Sequence, residues 1–349
     1  MIKIIKLITK KVDWGSLINF TDDSEFYHTY DYHYLSKKDA ETPILIEYTK
    51  GDETILLPLL IRKIEGTEYS DATSVYGYSG PSCRNIKENF DHSLFRKELQ
   101  SLFLEMKIVS VFSRLNPFVN YQENILKGIG EITSLGKIVY IDLTKDLDQQ
   151  KASYSRRLRT YINKARKQCS VRLAKSDGEI EEFIAMYYEN MKRVNADESF
   201  FYNKEYFFNL LNTKEFETDL LVAIHNDSQE IIGGAMFIKK NKIVQYHLSG
   251  SKEEFLAINA IKLLIDEMRI RASNENYNYL NLGGGVGTKE DSLFYFKSGF
   301  SKDYKTFKLW KYIVNKEVYE DLVLIKHQKD FATVFKSSKD YFPSYRCIE

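Results

Sequence analysis

Apolar residues along this chain follow two patterns, and each predicts a different kind of element. Residues 43–49 and 54–63 are apolar at nearly every position, which favours strands, and Lys50-Gly51-Asp52-Glu53 between them predicts a hairpin turn. In residues 255–272 the apolar positions recur every three or four residues instead. That spacing predicts an amphipathic helix.

The same patterns predict two halves of similar architecture. In the first half they predict helices and strands at residues 2–8, 24–37, 43–49, 54–63, 90–106, 108–112 and 137–143, with a Tyr-, Ser- and Gly-rich loop at 70–81. In the second half they predict elements at residues 154–169, 180–194, 204–212, 220–224, 231–239, 242–248, 255–272, 279–282, 292–298 and 305–314. We therefore expect an α/β protein with mixed sheets and domains at residues 1–147 and 148–314. The tail at residues 315–349 is assigned to neither.

Composition narrows the class of protein. The 349 residues carry 50 Lys+Arg against 49 Asp+Glu, and 43% are hydrophobic, as in soluble globular proteins. No apolar run reaches the 18 residues of a membrane helix, and the lysines near the start are unlike a signal peptide. Three widely spaced cysteines do not form a disulfide framework. These features predict a reduced, cytoplasmic protein.

Most familiar catalytic motifs fail on spacing. The cluster Gly283-Gly284-Gly285-Val286-Gly287-Thr288-Lys289 fits neither a phosphate loop nor a dinucleotide fingerprint. His28 and His33 miss the spacing of a zinc-binding helix, and we expect no metal. The glycines still allow positive φ and a close approach of backbone to ligand. They predict either a site for an anion or oxyanion, or simply a tight turn.

A basic segment qualifies the near-neutral net charge. Residues 151–175 contain nine Lys or Arg and no acid. On the predicted helix, the basic positions opposite the apolar stripe are Arg156, Arg159, Arg166 and Lys167. Such a face suits tRNA phosphates or the anionic inner face of a membrane, and the alternative is a solvated helix surface.

Five motifs, taken in order, resemble one family. They are Ser74-Val75-Tyr76-Gly77-Tyr78-Ser79-Gly80-Pro81, Val111-Phe112-Ser113-Arg114-Leu115-Asn116-Pro117-Phe118, Tyr246-His247-Leu248-Ser249-Gly250-Ser251, Asn281-Leu282-Gly283-Gly284-Gly285 and Leu293-Phe294-Tyr295-Phe296-Lys297-Ser298-Gly299-Phe300. Together they resemble the FemA/FemB-like (FemABX) acyltransferases of the GNAT-fold superfamily, over residues 23–312. The resemblance implies tandem GNAT-like domains, which fits the repeated architecture.

The resemblance also implies a reaction. An aminoacyl group passes from its tRNA ester to an amine on a cell-envelope precursor, such as a muropeptide or glycan, with no permanently bound cofactor. It implies catalytic roles for Lys297 and Phe296. The substrate-binding residues that it implies are Tyr206, Tyr246, Gly283, Gly284, Gly285, Lys204, Tyr76, Tyr78 and Arg114.

Two departures from the family pattern, and one from the pattern of ordinary GNAT enzymes, leave alternatives open. Asn116 stands where the family commonly has an Asp proposed as proton acceptor, so no base is assigned; Asp31 is one alternative. Tyr202 stands where well-known members have a phosphate-binding Arg, for which Lys204 could substitute. The stretch 250–259 lacks the glycines of a coenzyme A loop and carries Glu253 and Glu254. This argues against an ordinary acetyl-CoA enzyme.

Two rival functions remain at this point. One is an acyl-CoA-dependent N-acyltransferase that acts on a sugar amine in surface polysaccharide synthesis. The other is a catalytically silent tandem module that binds RNA or another anion through residues 156–172, a hypothesis that rests on Asn116.

Overall fold

The computed structural model describes residues 4–21, 23–330 and 341–347. The helices are α1 (Lys11–Phe20), α2 (Tyr30–Ser36), α3 (His92–Glu105), α4 (Gln122–Ile125), α5 (Leu147–Ala152), α6 (Arg156–Gln168), α7 (Asp177–Arg193), α8 (Lys204–Asn212), α9 (Ala260–Asn274), α10 (Ser292–Ser298) and α11 (Lys316–Asp330). The strands are β1 (Ile5–Ile8), β2 (Glu41–Lys50), β3 (Glu53–Lys63), β4 (Ser70–Thr73), β5 (Ser82–Arg84), β6 (Ile108–Arg114), β7 (Glu131–Asp142), β8 (Cys169–Leu173), β9 (Glu217–His225), β10 (Ile231–Lys240), β11 (Ile243–Ser251), β12 (Tyr279–Gly283) and β13 (Asp303–Ile313). The mixed α/β class is the predicted one.

Two compact units divide the chain. The first unit contains Met1–Leu135 and Phe307–Glu349, and the second contains Gly136–Thr306. The sequence placed the boundaries at residues 147 and 314 and left the tail unassigned. The chain returns to the first unit earlier than that, because β13 pairs with β6 and Trp310 is fully buried in the first unit's core. Tail residues 331–340 and 348–349 lie outside the described residues.

The first unit is a sheet with helices. Its strands follow the order β1, β2, β3, β4, β6 and then the part of β13 from Phe307 onward, with β5 beside β3. The predicted hairpin is present, since β2 and β3 pair from Glu41 with Arg62 to Lys50 with Glu53. Apolar side chains of α3 fill the core against this sheet, where Phe95, Leu99 and Phe103 are buried.

The second unit is a sheet in the order β7, β12, β11, β10, β9, β8. All of its neighbouring strands are antiparallel except β11 and β12, which are parallel. Successive glycines of β10 show that helices cover both faces. A Cβ at Gly233 would meet Ala260 of α9, and one at Gly234 would meet the Phe183 ring of α7. Both helices therefore lie close against the sheet.

Local chemistry explains where the helices of the second unit begin. Ser155, Ser176 and Asn203 cap α6, α7 and α8 by accepting backbone N–H groups with their side chains. Asn259 has φ +65° and separates a 3₁₀ turn at Glu253–Ile258 from α9. The single helix predicted over residues 255–272 is therefore two elements, because left-handed backbone breaks the helical ladder.

Other differences from the prediction concern short elements. The helix predicted at residues 24–37 is a 3₁₀ turn at Phe26–His28 followed by α2, whose cap is Thr29. The prediction also missed α1, α5, α11 and β8. These are short or weakly amphipathic segments, for which periodicity gives little signal. In the part of the chain that the structure describes, no helix is both long enough and apolar enough to cross a membrane.

Candidate active site

The parallel strands of the second unit part at one point. Their pairing runs from Ile243 with Tyr279 to Gln245 with Asn281, and no further pair follows among the described residues. Beyond this point β11 continues through Tyr246 and His247, while β12 remains paired with β7 as far as Gly283. Polar groups on both strand ends therefore face the place where the sheet opens, a position where open α/β sheets bind ligands.

A bulge shapes the β11 side of this opening. Met236 of β10 pairs with Leu248, whereas the next residue, Phe237, pairs with Tyr246. His247 is thus the extra residue of the bulge. A bulge re-aims side chains and increases local twist, so it fixes where Tyr246 and His247 point.

The glycine turn, residues 283–285, forms the β12 side. Gly283 has φ +76°, which favours glycine. A Cβ at Gly284 would lie 2.8 Å from the Lys137 carbonyl oxygen, and one at Gly285 would overlap the Lys289 backbone and the Asp291 carboxylate. Side chains are excluded at all three positions, so the turn exposes backbone only.

Asp291 connects the glycine turn to helix α10. Its Oδ1 accepts from the Phe294 N–H at 2.9 Å and its Oδ2 from the Val286 N–H at 3.0 Å. Burial alone would raise the pKa of Asp291, but these backbone donors outweigh it and the pKa is lowered. The carboxylate therefore stays charged and holds the turn against the start of α10.

Lys297 lies beneath the glycine turn. Its Nζ donates to the Gly284 carbonyl at 2.6 Å, and only 8% of the residue is exposed. Burial lowers its pKa to about 8, opposed by the charge of Asp291. Among the described residues no carboxylate forms an ion pair with it. At neutral pH the site thus holds a mostly protonated ammonium whose charge is not neutralised by a partner.

Phe296 lies half-buried beside this lysine and packs on the core near Phe300. A second lysine near Phe296, Lys262 of α9, was not among the predicted site residues. Its Nζ lies 5.5 Å from the Phe296 ring centroid and 5.0 Å from the Tyr161 ring centroid. Burial lowers the pKa of Lys262. Phe296 therefore lines an apolar, cation-bearing surface on the α6 and α9 side of the sheet.

Tyr206 and Tyr246 have different surroundings. The Tyr246 hydroxyl bonds to Ser249 at 2.5 Å, and burial raises its pKa to about 12. Tyr206 is only 4% exposed, and its hydroxyl lies 2.9 Å from His247 Nε2. His247 is half-buried, and burial lowers its pKa to about 4. No pattern in the sequence indicated this pair, because its members lie in separate elements.

Lys204 is not positioned as an isolated cation. Its Nζ pairs with Glu181 at 3.1 Å on the surface. Tyr202, two residues earlier, stacks on Tyr206 with ring centroids 4.1 Å apart. The predicted substitute for a phosphate-binding Arg is therefore already engaged by a carboxylate.

Three predicted residues belong to the first unit. Arg114 lies 5.6 Å from the Tyr76 ring centroid, and Tyr78 packs edge-on against Phe307. Asn116 has a structural role there, since its Nδ2 donates to the Tyr78 carbonyl and its Oδ1 accepts from the Phe118 N–H, both at 2.9 Å. These contacts order the Tyr- and Gly-rich loop. Asp31, the alternative proton acceptor, forms an ion pair with Lys11.

The four basic residues of α6 that were predicted to bind a polyanion fall into two groups. Arg166 forms ion pairs with Asp266, at 2.9 Å, and with Glu267. Arg156, Arg159 and Lys167 are exposed, and no described carboxylate pairs with them. The buried positions Leu158, Ile162 and Ala165 confirm the predicted apolar stripe. Three of the four predicted residues therefore keep an unneutralised charge, while Arg166 ties α6 to α9.

Known proteins resemble this chain in sequence pattern and in fold. A protein-family model described as an acetyltransferase (GNAT) domain matches residues 152–307. FemX superposes with a TM-score of 0.70 at 12% identity, covering 90% of this chain and 99% of that chain. No curated protein sequence matches the chain.

Two further solved structures share the fold. A protein of unknown function from Bacteroides thetaiotaomicron has a TM-score of 0.59 at 14% identity, covering 87% of this chain and 98% of that chain. The C-terminal domain of a protein described as a lysylphosphatidylglycerol synthetase, from Agrobacterium fabrum, has a TM-score of 0.56 at 14% identity, covering 92% and 96%.

These findings define the class of protein. The second unit is a GNAT-type acyltransferase domain, and the chain has the fold of FemX. The resemblance to FemABX proteins is confirmed for the fold, and the enzyme is an acyltransferase. At these sequence identities the comparisons do not identify a substrate.

Proposed function

We propose that this enzyme transfers an aminoacyl or acyl group from an activated ester to an amine of a cell-envelope precursor, such as a muropeptide or glycan. The observation that carries the proposal is Lys297. It is a buried ammonium that pairs with no carboxylate in the part of the chain that the structure describes, and it is hydrogen-bonded to a glycine turn at the opening of the sheet.

The chemistry explains why such a group is needed. The amine attacks the acyl carbonyl, negative charge develops on the carbonyl oxygen, and the bond to the leaving alcohol breaks. A fixed cation in a dry site stabilises that charge without reorganisation. With a pKa near 8, Lys297 also holds a proton that a departing alkoxide can take. The attacking amine loses one proton, which passes to Lys297 directly or through water and restores its ammonium, so that the net products are an amide and an alcohol.

Electrostatics supports aminoacyl-tRNA as the donor. Arg156, Arg159 and Lys167 present positive charge on one face of α6, as binding to a phosphate backbone requires. By contrast, Glu253 and Glu254 lie in the 3₁₀ turn before α9. With Lys252, Glu182 and Glu189 they line an open cleft. That cleft would repel a pyrophosphate.

A second candidate donor has its own support. The matched family model is that of an acetyltransferase domain, so an acyl-CoA that acylates a sugar amine is the alternative. The two donors share the proposed site at the glycine turn. They differ in the need for the basic face of α6.

The test is a transfer assay read by mass spectrometry. Wild type and Lys297→Met are incubated with aminoacyl-tRNA or acyl-CoA and with amine acceptors, including lysine-containing muropeptides and glucosamine. We expect an amide product from aminoacyl-tRNA with the wild type and at least a hundredfold less with the variant. Equal product from both proteins would remove Lys297 from the mechanism. Anion binding with no product from any pair would favour a catalytically silent module.

A further inference from the structure

Tyr206 and His247 form a pair that the reaction above does not use. They lie on α8 and on the bulge of β11, the strand that forms one side of the opening of the sheet. The more accessible member is His247, which is half-buried, whereas Tyr206 is almost fully buried. A ligand entering this side of the opening would thus meet the imidazole, with Tyr206 behind it.

Packing behind the pair restricts its movement. Tyr202 stacks on Tyr206 with an interplanar angle of 11°, and the Tyr188 hydroxyl donates to the Tyr202 carbonyl. The Asn203 side chain accepts from the Tyr206 N–H at 2.9 Å and fixes the start of α8. With its ring and backbone held, Tyr206 presents its hydroxyl to His247 in one orientation.

The charges around His247 indicate which kind of ligand group it can contact. Burial keeps the imidazole of His247 neutral at physiological pH. Lys204, on the same helix as Tyr206, is engaged by Glu181. A neutral imidazole donates at one nitrogen and accepts at the other, which suits hydroxyl or amide groups. Phosphates are instead recognised by charged donors.

We propose that His247 contacts the acceptor substrate through an uncharged hydroxyl or amide group rather than a phosphate, and that Tyr206 is the positioning residue that orients its imidazole. The inference rests on the proposed transfer to an amine and specifies the chemistry of the acceptor. It also changes the role of Tyr206, from a substrate contact to a residue that acts through His247.

The first test measures binding and is independent of transfer. The imidazole nitrogens are followed by ¹⁵N NMR, with His247 assigned by comparison with His247→Gln, while N-acetylglucosamine or inorganic pyrophosphate is added. We expect the uncharged sugar amide to shift the His247 resonances and pyrophosphate to leave them in place. A shift with pyrophosphate alone, or with neither probe, would overturn the proposal even if the enzyme transfers acyl groups.

The second test uses kinetics on any acceptor that the wild type acylates, offered with and without a linked diphosphate. For His247→Ala we expect a three- to tenfold higher KM for the acceptor, with the donor KM unchanged and kcat within twofold, as for one lost neutral hydrogen bond. His247→Gln should restore most of the affinity. Tyr206→Phe should resemble His247→Ala, and the double variant should be no worse than either.

Two results decide against this role. One is a tenfold or larger preference for the diphosphate form that disappears in His247→Ala. The other is additive losses in the double variant, which would show that Tyr206 does not act through His247. His225→Ala is the matched control, since His225 lies at the end of β9 and bonds Ser228 instead. Thermal unfolding of each variant monitors folding.

Discussion

Two lysines of the second unit are both buried, yet their surroundings are opposite. Lys239 of β10 is 4% exposed and pairs with Glu217 at 2.6 Å, Asp219 at 2.9 Å and Glu275 at 3.3 Å. Burial lowers its pKa, but the carboxylates outweigh this and the pKa is raised. Lys297 is 8% exposed, has a carbonyl in place of carboxylates, and has a lowered pKa.

The different partners of the two lysines indicate that the charge of Lys239 serves the fold and that the charge of Lys297 serves the site. A buried cation surrounded by carboxylates is neutralised, so it contributes to folding and has little field left for a ligand. A buried cation that bonds only a carbonyl keeps its field, at a cost in stability that a functional site can justify. Each prediction below tests whether the two lysines divide in this way.

The largest expected effect is on catalysis. Lys297→Met should lower kcat about 100- to 1000-fold, as expected when one stabilising donor is lost from an oxyanion site. Lys239→Met should leave kcat within about twofold, because its charge is already neutralised. Steady-state transfer rates on one donor and acceptor pair make the comparison. Similar losses in both variants would show that burial alone, rather than partner type, explains the effect.

The next effect is on folding. Lys239→Met should destabilise the protein by about 2 kcal/mol, because it leaves Asp219 beside an apolar side chain and the other two carboxylates are half-exposed. Lys297→Met should cost less, since it also removes the burial of an unneutralised charge. Denaturant unfolding at pH 7 gives both values. The opposite order of stabilities would contradict the assignment of roles.

The two lysines should change the free energy of unfolding in opposite directions as the pH rises. The folded-state pKa of Lys297, about 8, lies below its unfolded value of 10.5, so the native state loses this proton first. Its contribution to stability therefore rises between about pH 8 and 10.5, by about 3 kcal/mol. Lys239 has a raised pKa, so its contribution is fully present below pH 10.5 and is lost only above that pH.

The measurement is the difference in unfolding free energy between wild type and Lys297→Met from pH 7 to 10, which cancels other titrating groups. The ratio of transfer rates, wild type over Lys297→Met, should fall about tenfold per pH unit above about pH 8, where Lys297 is deprotonated, because the ratio cancels the ionisation of the acceptor amine. A constant difference in stability, together with a rate ratio that stays constant through pH 9, would argue against a charged Lys297.

The smallest expected effect extends the comparison to basic residues of α6. Replacing Arg156, Arg159 and Lys167 together by Gln should lower the slope of log affinity for tRNA against log salt by about 2–3, since each contact contributes roughly 0.7–0.9. Arg166→Gln should leave the slope unchanged and reduce stability, because Arg166 is already paired with Asp266 and Glu267. Filter binding over a salt series distinguishes them. Equal slopes in wild type and triple variant would exclude this face as the tRNA contact.

Local patterns determined much of this protein from the sequence. The apolar runs that predict β2 and β3 and the apolar stripes of α6 and α9 need only neighbouring residues. The same is true of the unit formed by the glycine turn, Asp291 and α10. The resemblance to FemABX proteins rests on five motifs in the same order, and the comparison with FemX confirms it for the fold. The roles given to Lys297, Phe296 and the other site residues remain predictions.

Tertiary structure decided what pairs with what, because electrostatics depends on distance through space rather than along the chain. Lys239 and Lys297 look alike in sequence, and only folding brings Glu217, Asp219 and Glu275 around one and the Gly284 carbonyl to the other. The same holds for Arg166 and its partners about 100 residues away. The pair of Tyr206 and His247, 41 residues apart, exists only because a bulge in β11 turns an imidazole toward α8.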